Sequence, residues 1–423
     1  MLKNQVFKFS FYQGMKFAKI VIKVILYLPI LPFAILLIIL RPFFHVRFGV
    51  LTSERIGHFS CVVELYLSEL DCENSKTKLD FFCCSAHVSN SQVKKFWERK
   101  LKFLPQRLVF IFIFWFSLLP FGKNHNIFEA GSKLENFNFF MHRDKKNLID
   151  ESKVHAIFSS IEEKINLKVL ESIGIDVNKK YAIVFNRDNF YFEKCHPKYN
   201  RNRLVTKNVD INSFLASIIY LIEKDYQVIR VGKGSLIKAD IKNNCYFDIT
   251  NDERRTDSLE MYLISRCQFF LGVNSGLAYL ATFLFKKPCF VTNHLPYGTF
   301  HSESKLFQVN FKKLIDINTN EVLPLSEIYK RKLFFDERAE TLKTNMATFQ
   351  DQQEVEIKSS LIEFIKRIEN NFTKDNEEIA LEKEFLKNIF NYINRDPIYR
   401  HCHGKTKCSF GKNYLLNNPY LFQ

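Results

Sequence analysis

The sequence predicts an α/β protein with two Rossmann-like domains, an apolar N-terminal membrane segment and a helical C-terminal extension. Three observations predict it. Between residues 181 and 292, short apolar strand-like runs alternate with helical stretches, which implies a parallel sheet covered on both faces. Residues 24–40 carry no charged side chain, close to the ~20 apolar residues that span a bilayer. Beyond residue 330 the pattern turns helical and charged.

The 423 residues suit two domains plus accessory segments. At 47% hydrophobic, the chain has enough apolar material for real cores, which excludes global disorder. A formal net charge of +16 admits nucleic acid, anionic lipid or phosphorylated partners. The positive charge is interleaved with acids, without zinc-finger spacing, a long Lys/Arg block or an RNA-recognition signature. Nucleic acid is therefore not an expected partner. None of the ten cysteines forms a CxxC pair. Several, such as Cys83, Cys84 and Cys289, sit in apolar runs and read as buried hydrophobes in a reducing compartment. The tail His401-Cys402-His403 with Cys408 fits no standard zinc spacing, so no metal site is expected.

In chain order, residues 1–42 read as a basic tail and membrane anchor. Lys3, Lys8, Lys16 and Lys19 precede the apolar run, and Arg41-Pro42-Phe43-Phe44 after it offers no small-residue cleavage site. Pro29 and Pro32 interrupt the run, so it either spans with a kink or re-enters on the same side. The shorter run 108–121 suits a buried or interfacial helix.

Residues 43–176 read as the first Rossmann-like domain. Its strand 46–51 leads into the turn 52–58, then a helix carrying Val62, Val63, Leu65, Tyr66 and Leu70. A second strand at 79–84 and a helix with Val93, Phe96 and Trp97 follow, then a helical stretch at 152–170. Residues 177–330 form the second domain, with strands at 181–185, 227–231, 245–249, 267–272 and 289–292. Helices at 208–224, 258–265 and 277–285 separate them. Residues 331–423 form the extension, with a helical stripe of Val355, Ile357, Leu361, Ile365 and Ile368.

The strongest chemical signal is Val273-Asn274-Ser275-Gly276, where a strand ends and a helix begins. Helix N-termini present free N–H donors and a positive dipole end, which suits phosphate. Asn274 or Ser275 is a natural N-cap, and ligands of open α/β sheets bind at strand carboxyl ends. The residues alone leave open an anion site or an ordinary capped turn. Arg187 follows the strand 181–185 and could clamp a diphosphate with its fork, or simply pair with Asp188. Lys233, between Gly232 and Gly234 after the next strand, could meet phosphate or be an exposed turn lysine. Arg201 and Arg203 lie in a Tyr/Asn-rich loop as further clamps. In the first domain the turn holds Glu54, Arg55 and His58. His58 or Glu54 could act as the general base that takes an acceptor proton.

The turn at 274–276, with Lys286-Lys287-Pro288-Cys289-Phe290-Val291 after it, resembles the donor-site turn of heptosyltransferase-like glycosyltransferases of the GT-B type. Residues 199–298 resemble more closely a bacterial glycosyltransferase family linked to surface polysaccharide. That likeness runs through Arg201-Asn202, Asn208-Val209-Asp210-Ile211, residues 226–232, Arg255-Thr256-Asp257-Ser258 and Asn293-His294-Leu295-Pro296-Tyr297-Gly298. Weaker likeness reaches Arg55-Ile56-Gly57-His58 and Asn418-Pro419-Tyr420-Leu421. The resemblance implies two GT-B domains, a nucleotide-sugar donor, a glycan or lipid-linked acceptor, and no cofactor. Arg187, Arg201, Gly232, Lys233, Asn274, Ser275 and Gly276 would bind the donor, and His58, Glu54 and Arg55 would serve catalysis. A suitable DxD pair is missing, so the expected mechanism needs no metal. Nucleotide sugars are made in the cytoplasm, so the catalytic domains are expected on the cytoplasmic side of the inner membrane, with the basic tail. The competing readings are a pyruvyl or phosphoglycosyl transferase on a similar fold, and a non-catalytic membrane scaffold.

Overall fold

The computed structural model describes residues 24–72, 78–127, 144–190, 205–300, 304–397, 399–401 and 404–423. The chain divides into two compact units. The smaller comprises Met1–Glu54, Glu73–Val88 and Glu98–Asn138. The larger comprises Arg55–Cys72, Ser89–Trp97 and Phe139–Gln423.

In the smaller unit, strands β1 (His45–Leu51), β2 (Lys78–Cys84) and β3 (Lys102–Phe103) form a parallel sheet in that spatial order. Arg47 and Asp80 are register partners across β1 and β2, and the guanidinium forks onto the carboxylate at 2.7 and 2.5 Å. Phe48 stacks on Phe112 of the Gln106–Leu118 helix at 4.5 Å between ring centroids, with Val109 and Phe116 buried beside them. The sequence leads one to expect a full Rossmann-like sheet here. Among the described residues its sheet has three strands, and after β3 the chain enters an apolar helix.

Residues 24–39 are helical, but at Pro29 and Pro32 the run tightens into a 3-10 turn, Leu28–Ile30, before the helix Leu31–Ile39, with a proline in the first turn of each. That is where proline's missing N–H costs nothing. Among the described residues no helix is long and apolar enough to cross a membrane.

The larger unit holds a six-stranded, all-parallel sheet in the order β6-β5-β4-β7-β8-β9. Its strands are β4 (Tyr181–Phe185), β5 (Gln227–Arg230), β6 (Tyr246–Asp248), β7 (Phe269–Val273), β8 (Cys289–His294) and β9 (Phe307–Phe311). The chain winds outward from β4 to β6, returns to β7 beside β4, then winds the other way. This is a doubly wound sheet with its switch point between β4 and β7. The Glu354–Glu369 helix lays Ile357, Leu361 and Phe364 on a core that includes Phe269, Leu271 and Phe290.

The extension is not purely helical. Within it, β11 (Ala347–Gln350) pairs antiparallel with β10 (Lys313–Asp316). The tail runs beside β9, with Ser409 bonding Phe307 O and Val309 N. This covers the sheet's outer edge, which would otherwise present unpaired backbone groups. The Asn376–Ile393 helix holds the tail, since Glu382 accepts from Ser409 Oγ at 2.7 Å and from Phe410 N at 2.9 Å. The eight described cysteines form no disulfide; Cys61, Cys83, Cys267, Cys289 and Cys408 are buried. Burial pushes the Cys83 and Cys267 thiols up to about 12. Cys402 and His403 lie outside the described residues.

Candidate functional site

The switch point gathers the carboxyl ends of β4, β5 and β7. Phe185 pairs with Gly272, and a Cβ on Gly272 would lie 2.7 Å from the Phe185 carbonyl oxygen. Glycine therefore lets β7 close against β4. The next residues of each strand, Asn186-Arg187 after β4 and Asn274-Ser275-Gly276 after β7, therefore leave from neighbouring strand ends. Gly232 follows β5 with φ 142°, a conformation that favours glycine, so the chain turns sharply before Lys233.

Ser275 is the N-cap of the Gly276–Phe285 helix; its Oγ accepts from Ala278 N at 3.3 Å. Asn274 does a different job, donating from Nδ2 to Leu295 O at 2.7 Å and so tying the end of β7 to the end of β8. The helix that carries His58 begins earlier than expected, at Ile56, so Gly57 and His58 lie in its first turn rather than in a loop. The two helices meet at their N-termini. A Cβ on Gly57 would lie 3.0 Å from Gly276 Cα, and one on Gly276 would lie 2.8 Å from Gly57 N. Neither glycine needs a positive φ, so what each supplies is space. Neither helix has an acidic residue in its first turn. Two positive dipole ends, each equivalent to roughly half a charge, thus converge with no acidic residue in either first turn.

A charged network supports one side of this region. Lys233 Nζ donates to Ser89 O at 2.7 Å and lies 3.2 Å from Asp257 Oδ1. Asp257 Oδ2 accepts from Ser91 N and Ser91 Oγ at 2.8 and 3.0 Å. Burial would raise the Asp257 carboxyl, but the Ser91 amide and Lys233 outweigh it and hold it below the usual carboxylate range. Arg255 pairs with the buried Glu260 at 2.7 Å. The buried Arg230 donates to Asn186 Oδ1, Asp248 Oδ2, Ser235 Oγ and Ile237 O, knitting together the ends of β4, β5 and β6. Asp188 is engaged by Ser235 Oγ at 2.7 Å and Leu236 N at 3.0 Å.

The Ile56–Cys72 helix is pinned from behind. His155 is buried and bridges two of its carboxylates, with Nδ1 2.9 Å from Glu64 Oε1 and Nε2 2.9 Å from Asp71 Oδ2. Burial disfavours the charged ring, but Glu64 and Asp71 outweigh it and raise its pKa above the ordinary value.

The structure therefore brings Gly276 and Ser275 together with the turn bearing Gly57 and His58. It sets Arg187 and Gly232 at neighbouring strand ends. The Lys233 amine, expected to face phosphate, already has Ser89 and Asp257 as partners. Arg55 and Glu54 are exposed and His58 is half-buried. Arg201 and Arg203 lie outside the described residues. Gly57, Asp257, Arg230 and His155 went unrecognised as individual site or support residues in the sequence. A glycine beside the first residue of a helix was the one signal that could have singled out Gly57.

No family model matches this chain, and no curated protein matches it. Solved structures do align with it. One is the Escherichia coli ADP-heptose LPS heptosyltransferase II, at 12% identity and a TM-score of 0.37, over 63% of this chain and 90% of that one. Another is a family 9 glycosyl transferase from Veillonella parvula, at 10% identity and a TM-score of 0.37, over 63% and 86%. A UDP-N-acetylglucosamine 2-epimerase aligns over 78% of this chain and 98% of its own, at 12% identity and a TM-score of 0.31. At such scores the likeness says nothing of substrate or activity.

Proposed function

We propose that this protein is a metal-independent glycosyltransferase that transfers a sugar from a nucleoside-diphosphate donor to a glycan or lipid-linked acceptor. The observation that carries the reading is the meeting of two acid-free helix N-termini at Gly57 and Gly276, beside the switch point of a doubly wound sheet. Amide ends in that position suit a diphosphate, and the same ends would stabilise the charge that develops on the leaving nucleoside diphosphate. Arg187 adds a bidentate cation from the end of β4. His58 takes the acceptor hydroxyl proton as the acceptor oxygen bonds to the sugar and the sugar–diphosphate bond breaks. Asn274 and Lys233 act by holding the strand ends in place. The protein works at the inner membrane with its catalytic residues in the cytoplasm, a reading supported by the acid-free basic tail from Lys3 to Lys19.

Thermal unfolding with UDP, GDP or ADP, with and without magnesium, tests the donor site. A nucleoside diphosphate at tenfold its dissociation constant should add about 1.4 kcal/mol without metal. Arg187→Ala should weaken that binding by about 1.5–3 kcal/mol, and Arg187→Lys should restore only part of it because the fork is lost. No stabilisation by any nucleoside diphosphate, with or without magnesium, would overturn the reading.

A further inference from the structure

We infer that the apolar helices of the smaller unit form a surface that lies on an anionic bilayer without crossing it. This rests on the membrane reading above and specifies how the contact is made and with which lipid.

The Leu31–Ile39 helix contains no polar side chain. Its one buried residue is the small Ala34, while Phe33, Ile35, Leu36 and Ile39 are 58%, 41%, 48% and 64% exposed. A helix apolar on every side belongs inside a protein or in lipid; this one packs Leu31, Leu37 and Ile38 on the core and turns Phe33, Ile35, Leu36 and Ile39 outward. The Gln106–Leu118 helix joins it, with Trp115 Nε1 donating to Tyr27 O at 2.8 Å and Tyr27 edge-on to Phe114. That helix also leaves Phe110 and Leu118 outward, and Phe43, Phe44 and Phe121 extend the exposed apolar surface. Soluble monomers rarely leave so many large apolar side chains uncovered.

Length argues against a span. Even with the helical residues before it, the run 24–39 reaches about 25 Å, short of the ~30 Å hydrocarbon core. Charge selects the occupant. Residues 24–53 and 99–127 contain no Asp or Glu, yet they carry Lys100, Lys102, Arg107 and Lys123, all exposed, and the half-buried Arg41. An apolar face carried on basic, acid-free stretches of chain matches acyl chains beneath acidic headgroups. A protein partner would have to be apolar and acidic at once.

The test is flotation of the full chain with vesicles of phosphatidylcholine, alone or with about one third phosphatidylglycerol. The protein should float with the anionic vesicles at least about tenfold better than with the neutral ones, and high salt or alkaline carbonate should release it. The double variant Phe33→Asp/Leu36→Asp should lose binding about tenfold or more with its thermal midpoint unchanged. Lys102→Glu/Arg107→Glu should lower binding to anionic vesicles only. Equal binding to both lipids that resists carbonate would overturn the inference and leave the membrane reading standing. Absence of binding to any vesicle would overturn both. A wild-type dimer that Phe33→Asp/Leu36→Asp converts to monomer, with no flotation, would make the face a contact between copies and overturn the inference. Nucleoside-diphosphate binding, measured on the same samples, reports on the transferase reading independently.

Discussion

Two helices of this protein have nearly the same chemistry and opposite surroundings. Gly276–Phe285 reads GLAYLATFLF and buries eight of its ten residues, from Leu277 through Phe285 with Tyr279 left partly exposed. Leu31–Ile39 reads LPFAILLII and buries only Ala34. The first sits against the six-stranded sheet, and its buried hydroxyl, Thr282 Oγ1, donates to Lys287 O at 2.8 Å. The second turns its bulk outward. Apolar composition therefore states that a helix needs an apolar medium; whether protein supplies that medium is decided by what packs on it. The buried helix has a further property the other lacks, an N-terminus that meets a second N-terminus at a strand end.

The largest expected effect comes from placing one charge in each helix. Leu280 is fully buried, so Leu280→Asp should cost about 5 kcal/mol or more and abolish cooperative unfolding of the larger unit. Leu36→Asp, at a 48% exposed position, should stay within about 0.5 kcal/mol of the parent in lipid-free solution. Denaturant titration of both variants measures the contrast, and similar losses in the two would erase it.

A smaller effect comes from weakening the support behind the buried helix. His155→Ala leaves Glu64, which is wholly buried, without its cation and should cost about 3 kcal/mol. The pH dependence has a defined sign. The folded-state pKa of His155 is raised from 6.5, so its contribution is complete below the unfolded value and is lost as pH rises through the folded one. The melting temperature of the parent should therefore fall as pH rises above neutral, and this part of the slope should vanish in His155→Gln. An unchanged slope would show that the clamp does not hold the Ile56–Cys72 helix in the way the geometry indicates.

The smallest effect concerns the cap. Ser275→Ala removes the acceptor of Ala278 N and should cost about 1 kcal/mol. Because Asn274 is bonded to Leu295 rather than to the helix, it should not substitute as a cap. Stability measurements on Ser275→Ala and Asn274→Ala, singly and together, should give additive losses within about 0.5 kcal/mol. Full compensation by Asn274 would return the capping role to it.

Much of the larger unit could be read from the chain. Strands β4 and β7 are unbroken apolar runs and β5 and β8 have apolar centres, as suits strands buried on both faces, and the turn after β7 carried its own cap. β9 escaped notice because Phe307-Gln308-Val309-Asn310-Phe311 alternates like a half-exposed strand, yet all five residues are buried. Gln308 and Asn310 face the Glu354–Glu369 helix, where Ser360 gives them partners. The tail at Ser409 was missed for a similar reason, since a single strand-like bridge leaves no periodic trace. At the site, Ser275 and Arg187 were visible as residue types at strand ends. The pairing of Lys233 with Asp257, and of Glu64 and Asp71 with His155, joins residues too far apart in the chain for spacing to register.

By itself the sequence determined the alternation of strand and helix in the larger unit, the glycine and serine that begin the Gly276–Phe285 helix, the prolines that break the first apolar run, and the basic, acid-free stretches near the N-terminus. These follow from local rules of backbone freedom, capping and hydrophobic period. Only the tertiary structure decided that Gly57 meets Gly276, that Lys233 is held by Ser89 and Asp257, and that one apolar helix is buried while another faces outward. Each of those depends on which surfaces remain after the sheets have formed, and burial is a property of neighbours brought together by the fold.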